Sequence, residues 1–167
     1  TMKGPSLLRA KQLEPKVLSG DALIILVGDN GPGKTQMATY LSFCVLRYGG
    51  YAGVYIKAND LMGVIKSSYG GTEAQKQKAE KLIRQVRQTK YLVIDEFGEL
   101  TGTAHENATM TNLIDHRYDS MKATVIISND NEATAAKTVG RSIWSRAQET
   151  GGLVVCNWPS YRGRVSA

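Results

Sequence analysis

The octapeptide GDNGPGKT (28–35) follows the apolar run ALIILV (22–27) directly, so a strand enters a glycine-rich loop. Gly28 and Gly33-Lys34-Thr35 fit GxxxxGK[ST], and a helical pattern begins immediately afterwards. Gly28, Gly31 and Gly33 let the backbone turn tightly enough for its N–H groups to face phosphate oxygens. The helix behind the loop adds its positive N-terminal end. Asp29, Asn30 and Pro32 complete the loop, and Gln36 continues the candidate nucleotide-binding set into the first helical turn. Lys34 offers a point charge to the β- and γ-phosphates of ATP, and the Thr35 hydroxyl is a ligand for Mg²⁺.

YLVIDEFGE (91–99) supplies the second half of such a site. An apolar strand ending in Asp95-Glu96 places one carboxylate where it holds the magnesium shell and a second where it polarises an attacking water. Small-molecule kinases need no such glutamate, so the pair favours hydrolysis. The next apolar run, TVIISN (124–129), ends in Asn129. That residue is either a turn asparagine or an amide between the γ-phosphate and the water.

These groups need a scaffold that delivers several strand ends to one edge. Five short β-rich runs, 22–27, 51–56, 91–95, 124–129 and 153–157, alternate with helical patterns and show little polar alternation. That is the signature of a mostly parallel sheet buried on both faces, in a three-layer α/β/α arrangement. Residues 34–47 read as a helix with Met37, Leu41, Cys44 and Val45 inward, ended by Gly49-Gly50. Residues 58–90, interrupted by SYGGT, read as two helices. Leu113, Ile114 and Met121 read as core, Trp144 and Trp158 as packing residues, and His105 and His116 as surface or turn residues.

The 167 residues suit one domain and carry 21 Lys and Arg against 15 Asp and Glu, a formal charge of +6 that favours polyanionic partners. Cys44 and Cys156 lack metal or redox spacing and are expected as buried thiols. No apolar run approaches the roughly 18 residues needed to cross a bilayer, and the N-terminus has no secretory pattern, so a cytoplasmic protein is expected. In AQKQKAEKLIRQVRQTK (74–90), Ala79, Leu82, Ile83 and Val86 form an apolar stripe beneath a basic face. Lys76 and Lys78 on that face, aided by Lys57 and Lys66, form either a solvated surface or a track for single-stranded DNA with Tyr69 as a stacking platform.

The order of these motifs resembles the AAA+ ATPases and, within them, the DnaC-like loaders of replicative helicases. The resemblance runs over about 28–165. It is carried by LVIDEFG, then LIDHRYDSMKATVIISND, then VGRSIWSRAQETGGLVVCNWPSYRGRV. It implies an AAA+ domain over 21–167, behind an N-terminal extension over 1–20. It further implies Asn129 as the sensor I residue, Arg146 as an arginine finger reaching a neighbour's nucleotide, and Arg162 as the sensor II arginine. The flanking Ser145 and Ala147 depart from the family pattern, which leaves Arg141 and Arg117 as alternative sources of the trans arginine. Ten residues follow Asn157, so no full lid domain is expected. The helix near 59–68 falls where DnaC-like and initiator ATPases carry a helix facing DNA.

An arginine supplied by the next subunit makes hydrolysis conditional on assembly, which implies a head-to-tail homo-oligomer. The implied partners are single-stranded DNA and a replicative helicase. Two alternatives are an IstB-type transposition helper ATPase acting on duplex DNA and a nucleotide-gated DNA-binding module with little hydrolysis.

Overall fold

A single rung of parallel pairing crosses the sheet through Ile56, Ile94, Ile126, Ile25 and Leu153. Each belongs to one of five strands: β1 (Leu23–Val27), β2 (Val54–Lys57), β3 (Tyr91–Asp95), β4 (Ala123–Ile127) and β5 (Leu153–Val155). The computed structural model describes residues 4–160, and its strand order is β2-β3-β4-β1-β5, all neighbours parallel. One step beyond the common rung lie Lys57, Asp95, Ile127 and Leu26, so the loops that follow these strands open at the same edge of the sheet.

β1, β3 and β4 are buried along their whole length, as expected of strands covered on both faces. Their side chains still alternate. Ile24, Leu26, Val93, Val125 and Ile127 pack with helices α1 (Gly4–Ser19) and α2 (Lys34–Gly49). Ile25, Val27, Leu92, Ile94 and Ile126 face the opposite layer. That layer holds α3 (Ala58–Ser67), α4 (Glu73–Gln88), α5 (Ala104–Asp119), α6 (Glu132–Val139) and α7 (Arg141–Glu149). The three-layer α/β/α expectation and the five parallel strands are both observed.

The sequence explains where the helices start and stop. Thr72 and Thr103 each accept from the backbone N–H three residues on, closing capping boxes with Gln75 and Glu106 that start α4 and α5. Gly50 ends α2 in the left-handed region at φ 72°. Residues 4–19 form α1, whose Ala10, Leu13 and Val17 are buried in the core shared with α2.

Leu113 and Ile114 are core, and both cysteines are buried free thiols. Met121 is corrected: it is 68% exposed at φ 51° in the turn after α5, where the tight connection to β4 sets the backbone and leaves the side chain outside.

Candidate nucleotide site

The loop after β1 leads to α2 on one face of the sheet, whereas the chain leaves β3 and β4 toward helices on the other. The crevice between them, at the carboxyl ends of the strands, is where an open α/β sheet binds ligands. A cleft of about 210 Å³ opens there, lined by Asn30, Gly31, Gly33, Lys34, Thr35, Gln36 and Asn129. Asn129, at the end of β4, is thereby brought to the phosphate loop.

The loop's shape follows from its glycines. Gly28 stands at φ 129°, and a Cβ there would lie 2.6 Å from the Cys156 carbonyl oxygen, so both the dihedral and the approach of the chain after β5 require glycine. Gly33 caps α2 at φ 95° without a side-chain bond to the first-turn amides, leaving those donors directed at the cleft. The back of the loop is tied down at Pro32, whose carbonyl accepts from Ser6 Oγ at 2.6 Å and from Trp158 Nε1 at 2.9 Å. Sequence reasoning treated Trp158 as packing alone and gave Ser6 no role. Both brace the loop.

Lys34 is 4% exposed, and its ammonium donates to the carbonyls of Gly28 and Asp29, each at 2.7 Å. The charge is thus folded into the cup of its own loop, where β- and γ-phosphates would meet it. Across the cleft, Thr35 Oγ1 donates to Asp95 Oδ2 at 3.2 Å, bringing together the two oxygens expected at a magnesium shell. Asp95 is 5% exposed, and its Oδ1 accepts from the Glu96 backbone N–H at 2.7 Å. Hard oxygen donors beside a phosphate cradle fit Mg²⁺ bound with ATP, an ion that keeps most of its water and takes few protein ligands.

Glu96 sits at φ 56°, an uncommon conformation for a residue with a Cβ. Its carboxylate reaches β2, where Lys57 Nζ lies 2.8 Å from Oε1. The lysine side chain is 48% exposed, and the pairing with Glu96 raises its pKa.

The expected DNA-facing residues divide into two groups. Lys57 is engaged by Glu96, Lys66 by the buried Glu106 at 2.6 Å, and the Tyr69 hydroxyl lies 3.2 Å from His105 Nε2. Lys76 and Lys78 stand exposed on α4.

The candidate trans arginines also separate. Arg146, on α7, pairs with Asp115 of α5, and its guanidinium lies 4.7 Å from the Tyr118 ring centre. Arg141 is exposed at the first turn of α7. Arg117 is ruled out as a donor to a neighbour, because it is fully buried. Its guanidinium donates to Val86 O at 2.7 Å, Thr89 O at 2.8 Å, Ala123 O at 2.6 Å and Thr124 Oγ1 at 2.9 Å. Burial pushes its pKa down to about 10. Arg162 lies outside the described residues. Among those residues no acid, histidine and cysteine cluster could hold a metal on its own, and no helix is long and apolar enough to cross a membrane.

Sheet order, phosphate loop and the acid pair of β3 together define a P-loop NTPase of the AAA+ type. The chain belongs to the family of IstB-like ATP binding proteins, whose model matches residues 16–147. It is 28% identical over 162 residues to the replicative helicase loader DnaC of Escherichia coli K12, covering 96% of this chain and 64% of that protein's length. A crystal structure of the DnaC helicase loader shares the fold with a TM-score of 0.73 at 21% identity, over 93% of this chain and 92% of that one. The replication initiator DnaA bound to AMPPCP and single-stranded DNA matches with a TM-score of 0.72 at 19% identity, over 95% of this chain and 49% of that one.

Proposed function

We propose that this ATP-binding domain is the ATPase core of a helicase loader, which assembles head to tail on single-stranded DNA and uses hydrolysis to release a replicative helicase. One arrangement carries the reading: Thr35 and Asn129 line one cleft, Asp95 accepts from Thr35 beside it, and Glu96, the next residue, pairs with Lys57 on the strand that runs directly into α3. A site built that way ties the state of the nucleotide to the helix layer that carries the basic face of α4. The similarity to DnaC and the fold shared with a DnaA bound to single-stranded DNA support the same reading.

Lys34 and the first-turn amides of α2 bind the phosphates, and Thr35 and Asp95 hold Mg²⁺, which neutralises charge on the phosphate oxygens. Glu96 accepts a proton from the attacking water, and Asn129 orients that water from the β4 side. Arg146 of one subunit reaches the nucleotide of the next. Lys76 and Lys78 track the DNA backbone, with Lys57 and Lys66 joining when their carboxylate partners are displaced and Tyr69 stacking on a base.

The IstB-like family assignment favours a second reading, a transposition helper that acts on duplex DNA. Fluorescence anisotropy of a labelled single strand, with ATP analogue or ADP and with duplex competitor, separates the two. A loader binds the single strand more tightly with the ATP analogue and resists duplex competition. Preference for the duplex under both nucleotides would assign the helper function instead.

A further inference from the structure

Tyr55 belongs to neither the phosphate loop nor the acid pair, yet its phenol donates to Asp95 Oδ2. The contact follows from strand geometry. Tyr55 and Lys57 are two apart on β2 and therefore share a face, and the β2–β3 register sets Lys57 opposite Asp95. One face of this edge strand thus serves both carboxylates, Tyr55 engaging Asp95 and Lys57 engaging Glu96.

Three donors converge on the Asp95 carboxylate. Oδ1 takes the Glu96 backbone N–H, and Oδ2 takes both the Thr35 hydroxyl and the Tyr55 phenol. The Thr35 hydroxyl is itself a candidate metal ligand, so it cannot remain a donor to Asp95 alone once a cation is held between them. The backbone N–H restrains Oδ1, and the phenol is the remaining side-chain donor that restrains Oδ2.

We propose that Tyr55 is a positioning residue for the divalent cation: its hydrogen bond to Asp95 Oδ2 sets the plane of the carboxylate that holds the metal shell. The proposal rests on the reading of Asp95 as that carboxylate. It also makes β2, which continues into α3, a mechanical part of the metal site.

The test compares wild type, Tyr55→Phe and Asp95→Asn. Free Mn²⁺ is followed by electron paramagnetic resonance in the presence of ADP, together with metal-free ADP binding and thermal melting. For Tyr55→Phe the expected result is Mn²⁺ binding weakened about three- to tenfold, the net contribution of one hydrogen bond, with metal-free ADP affinity and melting temperature unchanged. Unchanged Mn²⁺ affinity in Tyr55→Phe, while Asp95→Asn loses it, would overturn the positioning role and leave the metal assignment standing. Mn²⁺ binding that survives Asp95→Asn would overturn both. Parallel losses in ADP affinity, melting temperature and Mn²⁺ affinity would make Tyr55 a packing residue and equally contradict the proposal.

Discussion

Lys57 Nζ stands 2.8 Å from Glu96 Oε1, so the carboxylate proposed as the acceptor of a proton from water is held by a cation on the neighbouring edge strand. The pair is partly exposed, with side-chain exposures of 48% and 27%, so it is a weak latch rather than a structural anchor. An exposed pair of this kind contributes little, and its loss changes a rate by no more than about fivefold. Lys57→Met should therefore raise DNA-independent ATP turnover about two- to fivefold, and DNA should stimulate the variant less than wild type. Steady-state phosphate release with and without single-stranded DNA measures both effects.

Glu96→Gln removes the proposed proton acceptor while keeping size and most polarity. Turnover should fall about 10²–10⁴-fold, the range general-base catalysis contributes. Nucleotide binding should persist, because the phosphate contacts come from the loop at 28–35. Lys34→Ala should show the complementary pattern, with nucleotide binding itself lost in equilibrium titration.

Arg117 should affect folding and leave assembly chemistry alone. Its guanidinium donates to three carbonyls, two of them buried, that join the end of α4 to the start of β4, with no carboxylate partner among the described residues. Arg117→Ala leaves those carbonyls unpaired at a cost of about 3–5 kcal/mol. For a domain of this size the melting temperature should drop by about 6–20 °C. Scanning calorimetry checks it.

The Lys66–Glu106 pair makes a pH-dependent contribution whose sign is fixed. The hydrogen bond from Lys66, followed by that from Thr101, holds the Glu106 carboxyl down at about 2. In the unfolded chain the same group titrates at its ordinary value of about 4.5. Its stabilisation is therefore complete above the unfolded value and is lost as pH falls from about 4.5 through about 2. Melting temperature against pH should decline across that window, and Glu106→Gln should flatten that part of the profile while lowering stability at neutral pH.

Much of the site was legible because its signals are contiguous. The phosphate loop, the acid pair of β3 and Asn129 each lie at the end of an apolar run, and the parallel rung brings those ends together. What was less legible depends on pairing between segments far apart in sequence. Tyr55 and Lys57 acquire their roles only once β2 lies beside β3, nearly forty residues downstream. The strand's Tyr-Ile-Lys alternation marked them as one face without saying what that face meets.

Arg117 carried a readable signal, since it falls on the helical stripe of Met110, Leu113 and Ile114, all buried. Its charge obscured that spacing. Met121 shows the opposite case, an apolar residue beyond the end of α5 whose turn geometry outweighs its hydrophobicity.

The central claim is that hydrolysis requires a neighbour's arginine. The most direct measurement is ATP turnover per subunit against protein concentration, with and without single-stranded DNA, for wild type and Arg146→Ala. The predicted result is a wild-type rate that climbs with concentration and with single strands, and a variant that binds ATP but shows neither rise. A rate independent of concentration, of DNA and of Arg146 would contradict the claim and define an ATPase complete within one chain.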